Sequence, residues 1–149
     1  MALNTIGGGL GLVLFGWISN LMGRRGAFVL YHVMGFACMI LMFKVFIPNG
    51  ASAGTLMVFL PIFGFFTLGM HAGYAVYFPE LFPTRLRGTG TGFGFNMGRL
   101  GTAAAFFGFG ALASHTSPEN KALLLSPLYL VALILIFFAR ETRDEDLPE

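Results

Sequence analysis

Charge is scarce in this chain of 149 residues. Acidic and basic residues together make up 11% of it, against about 25% in a soluble domain, and none of the seven acids lies in the interior of an apolar stretch. So few charges cannot cover a water-facing surface, and the nine Lys and Arg form no basic stripe. Both facts exclude a nucleic-acid binder and most soluble enzymes. Cysteine is scarcer still. Cys38 stands alone, so neither an intrachain disulfide nor a thiolate metal cage can form, and a buried thiol is expected. Catalytic patterns are missing too: there is no Gly-x-Ser-x-Gly, no His-Glu-x-x-His and no paired Cys ligands. Gly90, Gly92 and Gly94 follow no strand and precede no Gly-Lys-Ser/Thr, so helix packing explains them better than phosphate binding. No enzyme, metal site or cofactor is expected. What abounds is apolar or small, with 56% hydrophobic residues, 18 Phe, 21 Gly and 8 Met, a composition suited to lipid.

The apolar residues fall into five stretches, each near the ~20 residues that a helix needs to cross ~30 Å of hydrocarbon. Spans are expected at 2–22, 27–47, 55–78, 89–114 and 118–139, with 141–149 left as a solvated acidic tail. The breaks have local causes. Asn20, Gly23 and Gly26 flank Arg24 and Arg25; Pro48, Asn49 and Gly50 end the second span; Pro79 and Pro83 stop the third. Ser117, Pro118 and Glu119 read as an N-cap, a first-turn proline and an acid on the positive end of the helix dipole, while Pro127 predicts a kink in the last span. Residues 1–24 lack the basic leader and small-residue cleavage site of a signal peptide.

Lys and Arg set the orientation. Arg24, Arg25, Arg85, Arg87, Arg140 and Arg143 follow the first, third and fifth spans and share one face, whereas Lys44 and Lys121 lie near the other. The first face is therefore expected to be cytoplasmic, with the C-terminus inside, in a plasma (inner) membrane. An odd number of spans then puts the N-terminus outside, which suggests that helices upstream are missing.

Small residues recur at four-residue spacing: Gly7 with Gly11, Gly69 with Gly73, Gly88 with Gly92, and Gly90, Gly94 and Gly98 in succession. Such spacing lets helix backbones approach closely in lipid, so the first, third and fourth spans are expected inside the bundle. The second and fifth, bulkier all round, are expected to face lipid. Glu80 ends the third span just before Arg85 and Arg87, so a charge-assisted pair across that short loop is sterically easy. It either latches one face of the bundle or belongs to an interfacial belt that only fixes topology.

Gly16-x-x-x-Asn20-x-x-Gly23-Arg24-Arg25, then Glu80-x-x-Pro83-x-Arg85-x-Arg87-Gly88, then Arg140-Glu141-Thr142 together resemble the second half of a major facilitator superfamily transporter of the sugar porter or metabolite–proton symporter type. The resemblance covers nearly the whole chain. It implies helices eight to twelve of twelve, most of the C-terminal six-helix half, with a separate N-terminal half as partner. It further implies that Glu80, Arg85, Arg87, Arg24 and Arg25 form a cytoplasmic gate. Asn20 stands where the family's loop has an acid, which would weaken a charge relay there. The third span also lacks the Gly-Pro-rich stretch of sugar porters, which favours an organic anion over a neutral sugar.

Arg99 lies ten residues after Thr89, about 15 Å along a helix and so near the bilayer midplane. A charge there costs at least ~2.5–3.5 kcal/mol, so its partner is a substrate anion, backbone carbonyls or an acid on a helix outside this chain. A later start of that helix would instead carry Arg99 to the interface. Asn96 and Gly92 share its face, and Thr67, His71 and Tyr74 at i, i+4 and i+7 offer a facing wall. His71 suits proton coupling if it is not simply a packing residue, whereas His32 and His115 have no comparable setting. These residues point to part of a secondary carrier for a small organic acid or sugar, proton-coupled and working by alternating access. The alternative is a membrane scaffold or regulatory subunit that moves no solute.

Overall fold

The computed structural model describes residues 2–112, 120, 123–145 and 148, and every regular element among them is helical. In chain order these are α1 (Ala2–Ile40), a π-helical turn (Leu41–Phe46), α2 (Ala53–Gly69), α3 (His71–Leu81), α4 (Arg87–Leu112) and α5 (Pro127–Phe138).

The first two expected spans are joined in one element, α1, of 39 residues. A straight helix of that length would run roughly 58 Å, about twice the hydrocarbon thickness. Gly23 breaks it with φ 82° and ψ 165°, a backbone that side chains disfavour. The two arms, residues 2–22 and 24–40, fold back on each other as a hairpin. Phe15 meets Phe28 and Tyr31 at ring-centroid distances of 5.3 and 5.0 Å, and the Tyr31 hydroxyl donates to the Gly11 carbonyl at 3.0 Å.

The third expected span is two helices. Ser52 caps α2 by accepting from the Thr55 N–H at 3.2 Å, and the helix passes through Pro61. It is interrupted at Met70 and continues as α3 through Pro79 to Leu81. Pro79 therefore does not stop the chain, because a proline costs one backbone bond that a membrane helix tolerates when its neighbours support it. Pro83 does, holding Phe82 extended at φ −115° and ψ 141°. The last expected span is interrupted where Pro127 was expected to distort it: residues 123–124 are helical, 125–126 form a turn, and Pro127 opens α5 in its first turn. The cap at Ser117, Pro118 and Glu119, together with His115 and Lys121, lies outside the described residues.

Packing follows the glycines on one side of the molecule. A Cβ on Gly7 would lie 1.8 Å from the Pro61 carbonyl oxygen, and one on Gly64 2.0 Å from that of Asn4, so the first arm and α2 touch backbone to backbone. The second arm, expected to face lipid, instead carries the core. Its Ala27, Phe28 and Tyr31 are buried with Phe15, Met70 and Tyr77, because the hairpin turns its aromatic face inward. Helix α4, expected inside, meets the rest of the described chain chiefly at Gly90 against Phe82 and Gly94 against Phe78. A Cβ on Gly88, Gly92, Gly98 or Gly101 would meet nothing within 4 Å among the described residues outside its own helix backbone.

Candidate functional site

The loop charges gather at one end of the bundle around Arg24. Its Nη2 lies 2.8 Å from Glu80 Oε1, and its Nε is 3.2 Å from both Glu80 oxygens. Nη1 donates to Ser19 Oγ at 2.7 Å and to Asn20 Oδ1 at 3.0 Å. The two charged side chains are only 12% and 15% exposed, and the Thr142 hydroxyl donates to Glu80 Oε2. This forked geometry is among the stronger ion-pair arrangements, and partial burial limits screening. Asn20 accepts as a neutral group where the resembling family has an acid.

The segment after α5 completes the cluster. Glu141 takes the backbone N–H groups of Arg24 at 2.7 Å and Arg25 at 3.0 Å, capping the second arm of α1 with a carboxylate where the helix dipole favours one. A Cβ on Gly23 would lie 2.6 Å from that carboxylate, so a glycine is required there for space as well as conformation. Burial pushes the Glu141 carboxyl up, but the N–H groups of Arg24, Arg25, Arg143 and Thr142 outweigh it and hold the group below its usual 4.5. Three other contacts tie the same end together. Arg25 donates to the Phe137 carbonyl at 2.8 Å and Arg143 to that of Leu21 at 3.1 Å, each a cation at a helix C-terminus, and the Tyr77 hydroxyl donates to the Arg140 carbonyl at 2.7 Å.

This geometry departs from the expected loop pairing. Glu80 reaches across to Arg24, while Arg87 turns to the Pro79 carbonyl at 3.1 Å and Thr84 Oγ1 at 3.4 Å, satisfying the end of α3. Arg85 is exposed and has no partner among the described residues. Nor is the start of the tail a solvated end, since Thr142 is 6% exposed and Glu141 is engaged as above. Beyond them Asp144 and Glu145 are exposed and pair with Arg143 and Arg140 at 3.0 and 2.7 Å. Glu141, Thr142, Ser19 and Tyr77 were not among the expected gate residues. Arg140-Glu141-Thr142 was the available signal: an acid just past the last apolar run, with a glycine-opened helix start elsewhere in need of an acceptor.

The second gathering place is a cleft of about 590 Å³ between α3 and α4, lined by His71, Tyr74, Phe78, Phe95, Arg99 and Thr102 among others. Helix α4 starts two residues earlier than expected, so Arg99 lies about 18 Å from its first residue, near the middle of a helix roughly 39 Å long. Among the described residues Arg99 has no ion pair and no hydrogen bond. His71 Nδ1 bonds the Leu68 carbonyl at 3.1 Å, and its ring stands edge-on to Tyr74 at 6.4 Å. Tyr74 stacks on Phe78 at 5.6 Å.

Arg99 on α4 and His71 and Tyr74 on α3 thus line one cleft, and the other two expected contacts do not join them. Thr67 belongs to α2, beyond the interruption at Met70, and donates to the Phe63 carbonyl at 2.7 Å. Asn96 donates to the Gly92 carbonyl at 2.8 Å on its own helix and is not part of the lining.

The whole chain, residues 1–149, matches the Major Facilitator Superfamily. The chain belongs to that family. Major Facilitator proteins are integral membrane transporters, which accounts for the many large apolar side chains, Val13, Trp17, Val58 and Phe107 among them, that face outward from this bundle. Curated relatives include the cis,cis-muconate transport protein of Acinetobacter baylyi, 32% identical over 126 residues, and a probable 4-methylmuconolactone transporter of Cupriavidus pinatubonensis, 30% identical over 127. Each alignment covers 85% of this chain and 29% of the relative. The sialic acid transporter NanX of Escherichia coli is 31% identical over 107 residues, covering 70% of this chain and 25% of its own length. The chain therefore spans less than a third of the length of these relatives. No solved structure matches it.

Proposed function

We propose that this Major Facilitator chain supplies the substrate-facing wall and the cytoplasmic latch of a carrier for small organic anions, which works by alternating access against an N-terminal half outside the chain. The observation that carries this reading is Arg99, a cation near the middle of α4 that borders the α3–α4 cleft with no partner among the described residues. At that depth a guanidinium is costly, and a carboxylate entering the cleft would offset the cost with a charge-assisted bond. Relatives named for muconate and for sialic acid, both organic acids, support the choice over a neutral sugar. Tyr74 and His71 form the aromatic side of the same pocket, and we assign any proton coupling to His71, whose Nδ1 is held by a backbone carbonyl. Asn96 and Thr67 would reach substrate only after leaving their present backbone partners.

At the other end, Arg24, Glu80 and Arg25 hold the inner ends of α1, α3 and α5 as one unit, and Arg87 closes the end of α3. Arg85, exposed in the α3–α4 loop, is left to pair with the facing half as the two halves rock on a cytoplasmic surface of the plasma membrane.

The test is uptake by the complete carrier in proteoliposomes, with cis,cis-muconate as the carboxylate probe and glucose as the neutral one. Arg99→Gln should lower muconate uptake at least about tenfold, the loss of one modest charge interaction, and Arg99→Lys should keep part of it. Muconate uptake unchanged in Arg99→Gln, with glucose carried equally well, would overturn the assignment.

A further inference from the structure

The cleft that holds Arg99 does not end at its own walls. Gly98 and Thr102, which line it, also line a second cavity of about 430 Å³. The other walls of that cavity are Gly101, Ala105 and Phe106 of α4, with Leu125 and Leu128 at the entry to α5. The two spaces thus run on from one another along α4. The first holds Arg99, His71 and Tyr74, and no charged side chain lines the second.

Their chemistry differs in kind. Thr102, at the junction, donates its hydroxyl to the Gly98 carbonyl at 2.9 Å, so the one side-chain hydroxyl there is engaged by its own helix. A Cβ on Gly98 or Gly101 would meet nothing within 4 Å among the described residues outside its own helix backbone, which leaves room beside α4. Gly98, Thr102 and Ala105, at i, i+4 and i+7, share a face of that helix, and Arg99 to Phe106 covers about 10 Å of its axis, the reach of a medium-length alkyl chain. A space that begins at a cation and continues between apolar walls matches a guest charged at one end only.

We infer that the carrier takes monocarboxylates with an unbranched apolar tail of medium length, the carboxylate at Arg99 and the tail laid past Thr102 into the second cavity, with Gly101 and Ala105 setting the tail that fits. The inference deepens the organic-anion reading and rests on it. A second carboxylate carried past Thr102 would meet no cation among the described lining residues, and a polar tail would be desolvated without a partner. Muconate, charged at both ends, is confined to the first cavity.

The experiment measures binding of butyrate, hexanoate and octanoate to the complete carrier in lipid nanodiscs, with the signal from empty nanodiscs subtracted. Each added methylene should tighten binding about three- to fourfold, the worth of its transfer out of water, so octanoate should exceed butyrate by on the order of a hundredfold. Gly101→Leu, which puts a side chain into the second cavity, should cut that ratio at least about tenfold, while Arg99→Gln should weaken all three acids by a similar factor. Equal affinity for the three acids, as when a lipid acyl chain already fills the cavity, overturns the extension and leaves the anion site at Arg99 standing. A ratio that survives Gly101→Leu does the same. If Gly101→Leu does not fold, Ala105→Phe decides by the same ratio. Binding of none of the acids, or binding indifferent to Arg99→Gln, overturns the organic-anion reading and the extension together.

Discussion

Arg24 at the charged end of the bundle and Arg99 in the middle of α4 carry the same guanidinium into opposite surroundings. Arg24 is nearly covered, and all three of its side-chain nitrogens are engaged by Glu80, Ser19 and Asn20. Arg99 borders a cleft and is engaged by nothing in the described chain. The charged end is self-contained: three helix ends and the segment after α5 satisfy one another. The cleft, in the reading proposed here, is where a solute binds. Stability should therefore reside at the first place and solute specificity at the second, and substitutions can separate the two.

The largest effect on stability is expected from Arg24→Ala, which leaves Glu80 partly buried with no cation and should cost about 3–5 kcal/mol in a detergent melt. Arg24→Ala/Glu80→Ala should recover part of the loss, and a single variant that melts like wild type would erase the distinction between the two ends. Next comes Gly7→Ala, whose new methyl would overlap the Pro61 carbonyl and force the first arm off α2. Overpacking of this kind costs about 1–3 kcal/mol, read in the same melt.

Glu141→Gln should cost less, about 1 kcal/mol, the usual worth of a helix cap. Its pH dependence sharpens the comparison. Because folding holds the Glu141 carboxyl below its ordinary 4.5, its contribution is present above that pH and is lost as the pH falls through the folded value. The gap between wild type and Glu141→Gln should therefore close in acid, and a gap that stays constant down to denaturation would remove the carboxylate from the clamp. The smallest stability change, within ~0.5 kcal/mol, belongs to Arg99→Gln, the same substitution expected to lower muconate uptake. A large melting shift in that variant would mean that Arg99 is structural after all.

Much of this was legible in the linear chain because lipid imposes simple rules on it. Apolar run length announced helices, and prolines and glycines marked their breaks, with Pro83 ending α3 and Gly23 turning α1 back on itself. The errors have a common source. Whether a proline stops a helix or is tolerated, as at Pro79, and whether an aromatic-rich span faces lipid or core, as in the second arm of α1, depends on what packs against it. The candidate site divides in the same way. Arg99, His71 and Tyr74 come from neighbouring helices whose spacing could be read directly, whereas Thr67 was lost to the interruption at Met70, which periodicity did not reveal.

Composition and apolar run length were enough to determine that the described chain is helical and suited to lipid, because each backbone amide in hydrocarbon must be satisfied within its own segment. The order of the charges placed most of them at the ends of the helices, since exposed charge is costly elsewhere, with Arg99 in the middle of α4 the exception. Which acid meets which base was decided only when α1, α3 and the segment after α5 came together. Glu80 bypasses the arginines a few residues away for one 56 positions earlier, and Glu141 caps a helix that starts 117 residues before it. Ion pairs and caps depend on distances of a few ångströms between atoms remote in the chain, and only the packed bundle sets those distances.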